Sequence, residues 1–413
     1  MKLRSFGFQS YKPFACSDER CHINLAPLTL IFGHNSVGKS ALVRLPLLLL
    51  RALSGQTRGS AFPLDVDGLS FGSRFADLVH GSASTGKVAF SLDLEHENER
   101  LSLSCGLQNI DDGRTGSARG VITHLDLSGT LDLSGALDLR LRWEPSHDKI
   151  VSYDGHGPVP FQGLLPEGPI DGIDFAPWRR RAIDLEARVE HLGPRRVAIR
   201  DVYSHKANAP LGRDGAGAPF WLREDPQVEK AVSKWYRDSL KHGALEVVRK
   251  GDAFSLMLRR AGFENNLCFA GEGSQQVLPV VAQQTRHQLH DEDRELCIVE
   301  QPEVHLHDAA QGAVADLFID TVKAGRGPIL IETHSEIILL RVRRRIAEDR
   351  TKTDDAKALR PKDVAIYWIE QNDTGQSTVR RVDLDADGNV PGWPQGVYGE
   401  TFNEVAALNR AQR

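Results

Sequence analysis

Gly33-His34-Asn35-Ser36-Val37-Gly38-Lys39-Ser40 has two glycines five positions apart and a Lys-Ser pair directly after the second. Residue types at this spacing suit the phosphates of a nucleoside triphosphate. The glycines let the backbone curl so that its N–H groups converge on phosphate oxygens, and a following helix N-terminus adds positive potential there. Lys39 would reach the β- and γ-phosphates, and the Ser40 hydroxyl would hold Mg²⁺. Gly33, His34, Asn35, Ser36, Val37, Gly38, Lys39, Ser40 and Ala41 are therefore the expected nucleotide-binding residues.

Two further stretches carry acid-base chemistry. Leu296-Cys297-Ile298-Val299 is an apolar run that ends in Glu300-Gln301-Pro302-Glu303. A parallel strand beside the P-loop strand would bring its terminal carboxylate to Mg²⁺, which makes Glu300, with Ser40, the expected metal pair. Pro328-Ile329-Leu330-Ile331 similarly runs into Glu332-Thr333-His334-Ser335, and a histidine at such a strand end can hydrogen-bond a γ-phosphate. Upstream, Gly271-Glu272-Gly273-Ser274-Gln275-Gln276 combines glycines, a serine and a helix start, the backbone logic of a second phosphate cradle.

The elements that must position these residues are legible around them. Leu28-Thr29-Leu30-Ile31-Phe32 reads as a strand, and the apolar run from Ala41 to Leu50 as a buried helix behind the loop. Residues 3–8 and 21–25 alternate as strands leading into that sheet. Residues 88–94 and 101–105 continue as strands, and the Leu-Asp-Leu-Ser-Gly repeat of residues 123–139 reads as a β-meander with one buried face. Residues 153–174 are rich in Gly and Pro and read as a connection, while residues 184–191 and 225–241 read as helices. Asp77 and His80 lie on a segment expected to reach back to the nucleotide.

Composition sets the outer bounds. The chain has 413 residues, 40% hydrophobic and 26% charged, with a formal net charge of −5. That describes a globular protein with a sizeable core and argues against a wholly electrostatic DNA binder, while leaving room for a local basic groove. Arginines recur at Arg179-Arg180-Arg181, Arg195-Arg196 with Arg200, and Arg341 with Arg343-Arg344-Arg345, each able to contact a nucleic-acid backbone. The five cysteines are scattered without a C-x-x-C pair, which fits a reducing cytoplasm better than a disulfide or zinc framework. The apolar run of residues 45–50 is far too short to span a bilayer, so no membrane role is expected.

These motifs together resemble a known family. The G-x-N-x-x-G-K-S loop with Asn35 looks like the SMC/RecF/OLD branch of ABC-type ATPases. Gly271 to Gln276 resembles a degenerate ABC signature, and Thr333-His334-Ser335 its switch histidine. Glu300-Gln301-Pro302-Glu303-Val304-His305-Leu306-His307, with Glu332-Thr333-His334-Ser335-Glu336, is similar to bacterial AAA-type ATPases that carry a C-terminal domain of unknown function and occur in defence systems. Residues 387–397 resemble that domain's D-x-G-x-x-x-x-W-P-x-G-F pattern, with Val397 in place of Phe.

The resemblance implies an α/β fold: a P-loop ABC-ATPase head with a mixed β-sheet flanked by helices, an inserted antiparallel β lobe and helices, and a small C-terminal α/β cap. The expected segments are 1–85 and 261–355 for the two parts of the head, 86–260 for the insertion and 356–413 for the cap. It also implies a homodimer or higher oligomer closed around ATP and Mg²⁺. Each nucleotide would lie between the P-loop of one copy and Gly271, Gly273, Ser274 and Gln275 of the other.

One departure bears on rate. The glutamate that polarises water in ABC ATPases is Gln301 here, and glutamine can orient water but cannot accept its proton. Hydrolysis is then slow, or Glu303 or a residue of a second copy supplies the carboxylate; the expected catalytic set is Lys39, Glu300, Gln301, Glu303 and His334. Only about eighty residues follow His334, tight for an appended nuclease domain. Asp383-Leu384-Asp385-Ala386-Asp387-Gly388 lacks the twelfth-position acid of a calcium loop, where Pro394 stands. The leading expectation is an ATPase sensor or scaffold regulating a separate nuclease or toxin in anti-phage defence. The alternative is a RecF/SMC-like DNA-repair clamp.

Overall fold

The computed structural model describes residues 1–15, 20–57, 62–83, 86–111, 118–131, 135–144, 152–204, 206–241, 243–291, 294–354 and 358–392. Cys16, residues 132–134 of the repeat and residues 393–397 of the tail pattern lie outside these.

Leu28–Gly33 is buried along its whole length, as a strand covered on both faces must be. It lies inside a six-stranded sheet ordered Val189–Leu192, Leu296–Glu300, Ile329–Thr333, Leu28–Gly33, Val364–Gln371, Ser377–Val382. The first five strands run parallel and the last returns antiparallel. One face of this sheet, with Ile31, Ile298 and Leu330, packs on the helix Lys39–Ser54. The other, with Leu30, Val299 and Ile331, packs under the helices Pro226–Trp235, Leu278–Leu289, Asp308–Lys323 and Glu336–Asp349.

The helix Lys39–Ser54 is apolar nearly all round because it is buried on two sides. Its outer side meets a second, antiparallel sheet of eight strands, ordered Gly157–Pro158, Ser152–Tyr153, Gly135–Glu144, Ala118–Leu131, Glu99–Asp111, Lys87–His96, Lys2–Gln9, Cys21–Asn24. The repeat lies in paired antiparallel strands with Leu125, Leu127, Leu137, Leu139 and Leu141 facing the core, but Ser128-Gly129, which reads as a turn, lies inside the strand Ala118–Leu131. A smaller antiparallel sheet built from Tyr203–Ser204, Ala244–Lys250, Ala253–Arg260 and Phe263–Asn266 completes the helical lobe. The result is a mixed-sheet head flanked by helices with an inserted β lobe.

Several local expectations change. The strand ending in Glu300 is not the neighbour of the P-loop strand; Ile329–Thr333 lies between them. The N-terminal strands join the antiparallel sheet rather than the P-loop sheet. The helix expected over residues 184–191 is instead the helix Ala176–Ala187, which buries Trp178, Ala182 and Leu185, followed by the strand Val189–Leu192. Pairing with the Glu300 strand decides this, a long-range contact that periodicity does not carry. Residues 153–174 hold only two-residue strands. The divisions at 85/86 and 355/356 both separate strands that share a sheet.

Candidate nucleotide site

The P-loop turns from strand to helix through Ser36 at φ 64° and Gly38 at φ 102°. A Cβ on Gly38 would stand 2.6 Å from Pro13 Cγ, and one on Gly33 would stand 2.4 Å from the Ile369 carbonyl oxygen, so both glycines are fixed by close neighbours. His34, Asn35 and Ser36 are exposed, while Val37 anchors the loop in the core. Lys39 is buried and its Nζ donates to the Gly33 and His34 carbonyls at 2.9 and 2.5 Å. Burial lowers its pKa, and the Glu332 and Glu303 carboxylates oppose that.

Strand register and helix spacing together assemble the acidic half. Glu300 and Glu332 are paired residues on neighbouring parallel strands, and Glu332 lies level with Ile31. Ser40 and Arg44 lie four residues apart, one above the other on the same helix face. Ser40 Oγ donates to Glu332 Oε1 at 2.9 Å. Arg44 grips Glu300 with Nε at 2.9 and 3.1 Å and with its Nη2 at 2.6 Å, and His191 Nε2 lies 2.6 Å from Glu300 Oε1. Arg196, also buried, donates to the Glu300 carbonyl at 2.9 Å.

The two carboxylates respond oppositely. Burial pushes Glu300 up, but His191 and Arg44 outweigh it and hold the group below the usual carboxylate range. Burial and then the Glu300 charge push Glu332 up to about 7. Burial also brings Arg196 down to about 10.

The turn after Glu300 gathers the other expected residues. Gln301 sits at φ 45° with its N–H on the Glu332 carbonyl at 2.8 Å. Glu303 is buried; its Oε1 accepts the Thr333 hydroxyl and the His334 N–H, both at 2.8 Å, and His334 Nδ1 lies 3.3 Å from it. Lys39, Ser40, Glu300, Glu303 and His334 thus converge at the ends of three parallel strands. The Oε2 atoms of Glu303 and Glu332 are each buried without a hydrogen-bond partner, and Glu332 also accepts the Ser40 hydroxyl; a hydroxyl beside a carboxylate is an oxygen donor pair that fits Mg²⁺.

Gly271, Gly273, Ser274 and Gln275 lie elsewhere. Their cleft, about 340 Å³, is lined by Leu240, Glu272, His305, Leu306 and His307 besides the turn itself, and by no P-loop residue. Tyr236 donates to the Ser274 carbonyl at 2.6 Å, and Gln275 donates to the Ala270 carbonyl at 2.9 Å. Gly273 packs so closely that a Cβ would stand 2.2 Å from the His305 carbonyl oxygen.

Other candidates take supporting places. Asp77 accepts the N–H groups of Ser73 and Arg74 at 2.8 and 3.0 Å, capping its own turn. His80 Nδ1 lies 2.8 Å from the Lys12 carbonyl and so braces the loop that abuts Gly38. The arginine clusters are largely committed: Arg341 and Arg345 to Asp316, Arg344 to Glu348, Arg181 to Glu99, while Arg180, Arg195 and Arg200 are exposed. Among the described residues no helix is long and apolar enough to cross a membrane, and Cys21, Cys105, Cys268 and Cys297 are free thiols.

Sequence reasoning missed Arg44, His191, Arg196 and Trp368. Arg44 had a signal, its four-residue spacing from Ser40. Trp368 lies on the strand beside the P-loop, with ring centroids 5.2 Å from Phe32 and 5.4 Å from His34, and nothing local marks it.

A family model described as a protein of unknown function (DUF3696) matches residues 359–408. No curated protein matches the chain. Among solved structures, the SmcHead bound to the C-winged helix domain of ScpA is similar over 93% of this chain and 99% of its own, with a TM-score of 0.50 at 10% identity. The SMC head domain from Thermotoga maritima is similar over 93% and 100%, with a TM-score of 0.44 at 12% identity. The Smc head domain with an extended coiled coil, bound to the C-terminal domain of ScpA and derived from Pyrococcus furiosus, is similar over 100% of both chains, with a TM-score of 0.44 at 10% identity. The first of these likenesses shows an SMC-type ABC-ATPase head fold.

Proposed function

We propose that this chain is the ATP-binding, slowly hydrolysing head of an SMC/RecF-like clamp that closes in pairs around ATP and acts on DNA. The observation that carries the reading is the meeting of Lys39 and Ser40 with Glu300, Glu332, Glu303 and His334 at the ends of three parallel strands. Lys39 would exchange its loop carbonyls for phosphate oxygens, and the loop N–H groups would bind the rest. Mg²⁺, when bound, would neutralise charge on the phosphates. Glu303 is positioned to orient water, with one oxygen pinned by Thr333 and His334. Gln301 makes the step slow.

Gly271–Gln275 open on a cleft without P-loop residues, which suits a nucleotide presented by a second copy. ATP then belongs to the interface, so its binding closes the pair and its hydrolysis reopens it. A second reading follows the motif resemblance of residues 300–307 and 332–336: a sensor or scaffold regulating a separate nuclease or toxin partner in bacterial defence.

DNA binding measured at low and high salt, with and without ATP–Mg²⁺, tests the first reading. ATP-strengthened binding that weakens steeply with salt is expected. Binding that ignores ATP, or no binding beside a co-purifying second chain, would favour the other.

A further inference from the structure

We propose that Glu332 is the protein carboxylate that supports Mg²⁺ at Ser40, a place the sequence pattern gives to Glu300. The assignment rests on the nucleotide reading above and adds a residue to it.

Strand order argues first. Ile329–Thr333 is the immediate neighbour of the P-loop strand, and Leu296–Glu300 is one strand further out. A helix residue just past the P-loop therefore meets the acid of the nearer strand. The hydrogen bonds agree: Ser40 Oγ donates to Glu332 at 2.9 Å. Glu300 is engaged elsewhere, with Arg44 across both oxygens and His191 on Oε1.

Charge balance argues second. Two buried carboxylates stand side by side in register, and the Arg44 guanidinium is hydrogen-bonded to Glu300 alone. Glu332 keeps one oxygen on the Ser40 hydroxyl, and its other oxygen is buried with no partner. A buried carboxyl oxygen without a partner is costly and is relieved by a bound cation. Mg²⁺ takes oxygen ligands, accepts one or two carboxylates and keeps waters of its own, which matches a hydroxyl beside a carboxylate. Glu303 also has an orphaned oxygen, but its partners are Thr333 and His334.

The test is Mn²⁺ binding to the full chain with a non-hydrolysable ATP analogue, followed by the electron paramagnetic resonance of free Mn²⁺. Glu332→Gln keeps an acceptor for Ser40 and removes the charge. It should weaken Mn²⁺ about 10- to 100-fold, leave analogue binding in EDTA intact and not lower the melting temperature. Glu332→Asp, which keeps the charge on a shorter reach, should recover part of the affinity. Ser40→Ala combined with Glu332→Gln should weaken Mn²⁺ beyond either single variant but by a factor that departs from the product of the two, because the two act on one ion. Mn²⁺ affinity within about twofold of wild type in Glu332→Gln would overturn the assignment while leaving the nucleotide reading standing. Failure of wild type to bind the analogue at all would overturn that reading, and the assignment with it.

Discussion

At the residue scale, the site is a set of buried charges with unequal partners. Arg44 and His191 keep Glu300 ionised inside the core. Removing Arg44 leaves that carboxylate with His191 alone, and breaking one side of such a pair is destabilising. Arg44→Ala should cost about 3–5 kcal/mol at neutral pH in chemical denaturation. The sign with pH follows. Wild-type Glu300 has a depressed pKa, so its contribution is present above the unfolded value and is lost as pH falls. Without Arg44 the group protonates more readily, so the gap between variant and wild type should narrow as pH falls. A gap that does not change with pH would show that Arg44 acts through packing instead. Gln301 gives the complementary prediction: Gln301→Glu restores a proton acceptor and should raise phosphate release about a hundredfold. An unchanged rate would assign the base to Glu303, whose oxygen is already aimed by Thr333 and His334.

At the element scale, the account depends on strands ending level with one another. The P-loop, the acid strand and the histidine strand were each readable from apolar runs that stop at polar clusters. Their order was not readable, because both flanking strands carry the same pattern; long-range pairing set Ile329–Thr333 between the other two. Val189–Leu192 escaped for the same reason, since its partner lies about a hundred residues away. The segment after the helix Glu336–Asp349 is tied in by Asp349, which accepts Lys323 and Lys352 at 2.5 and 2.6 Å and the Leu359 N–H at 2.9 Å. Burial pushes this carboxyl up, but those three donors outweigh burial and hold it at about 2. Its stabilising contribution is therefore full above the unfolded value and lost as pH falls toward about 2. Asp349→Asn should lower stability by about 1–3 kcal/mol at pH 7, with the difference from wild type shrinking below about pH 4. Amide exchange at residues 358–371 would show whether the loss is local to the strand that carries Trp368.

At the scale of the whole molecule, two sheets enclose the helix Lys39–Ser54, and the strand Val364–Gln371 closes the P-loop from the far side. The sequence motifs told which residues meet phosphate; they could not tell that a C-terminal strand completes the loop's surroundings, since Trp368 belongs to no motif. The same architecture leaves Gly271–Gln275 on a cleft lined with His305 and His307 rather than with the P-loop, as the proposed pairing of two half-sites requires. In the proposed function, ATP joins two such halves. Native mass of the purified chain with and without ATP–Mg²⁺, in wild type and Lys39→Ala, tests it most directly. An ATP-dependent shift to a dimer or higher multiple is expected in wild type and none in the variant. A mass that ATP does not change, together with fast turnover that needs Lys39, would contradict it.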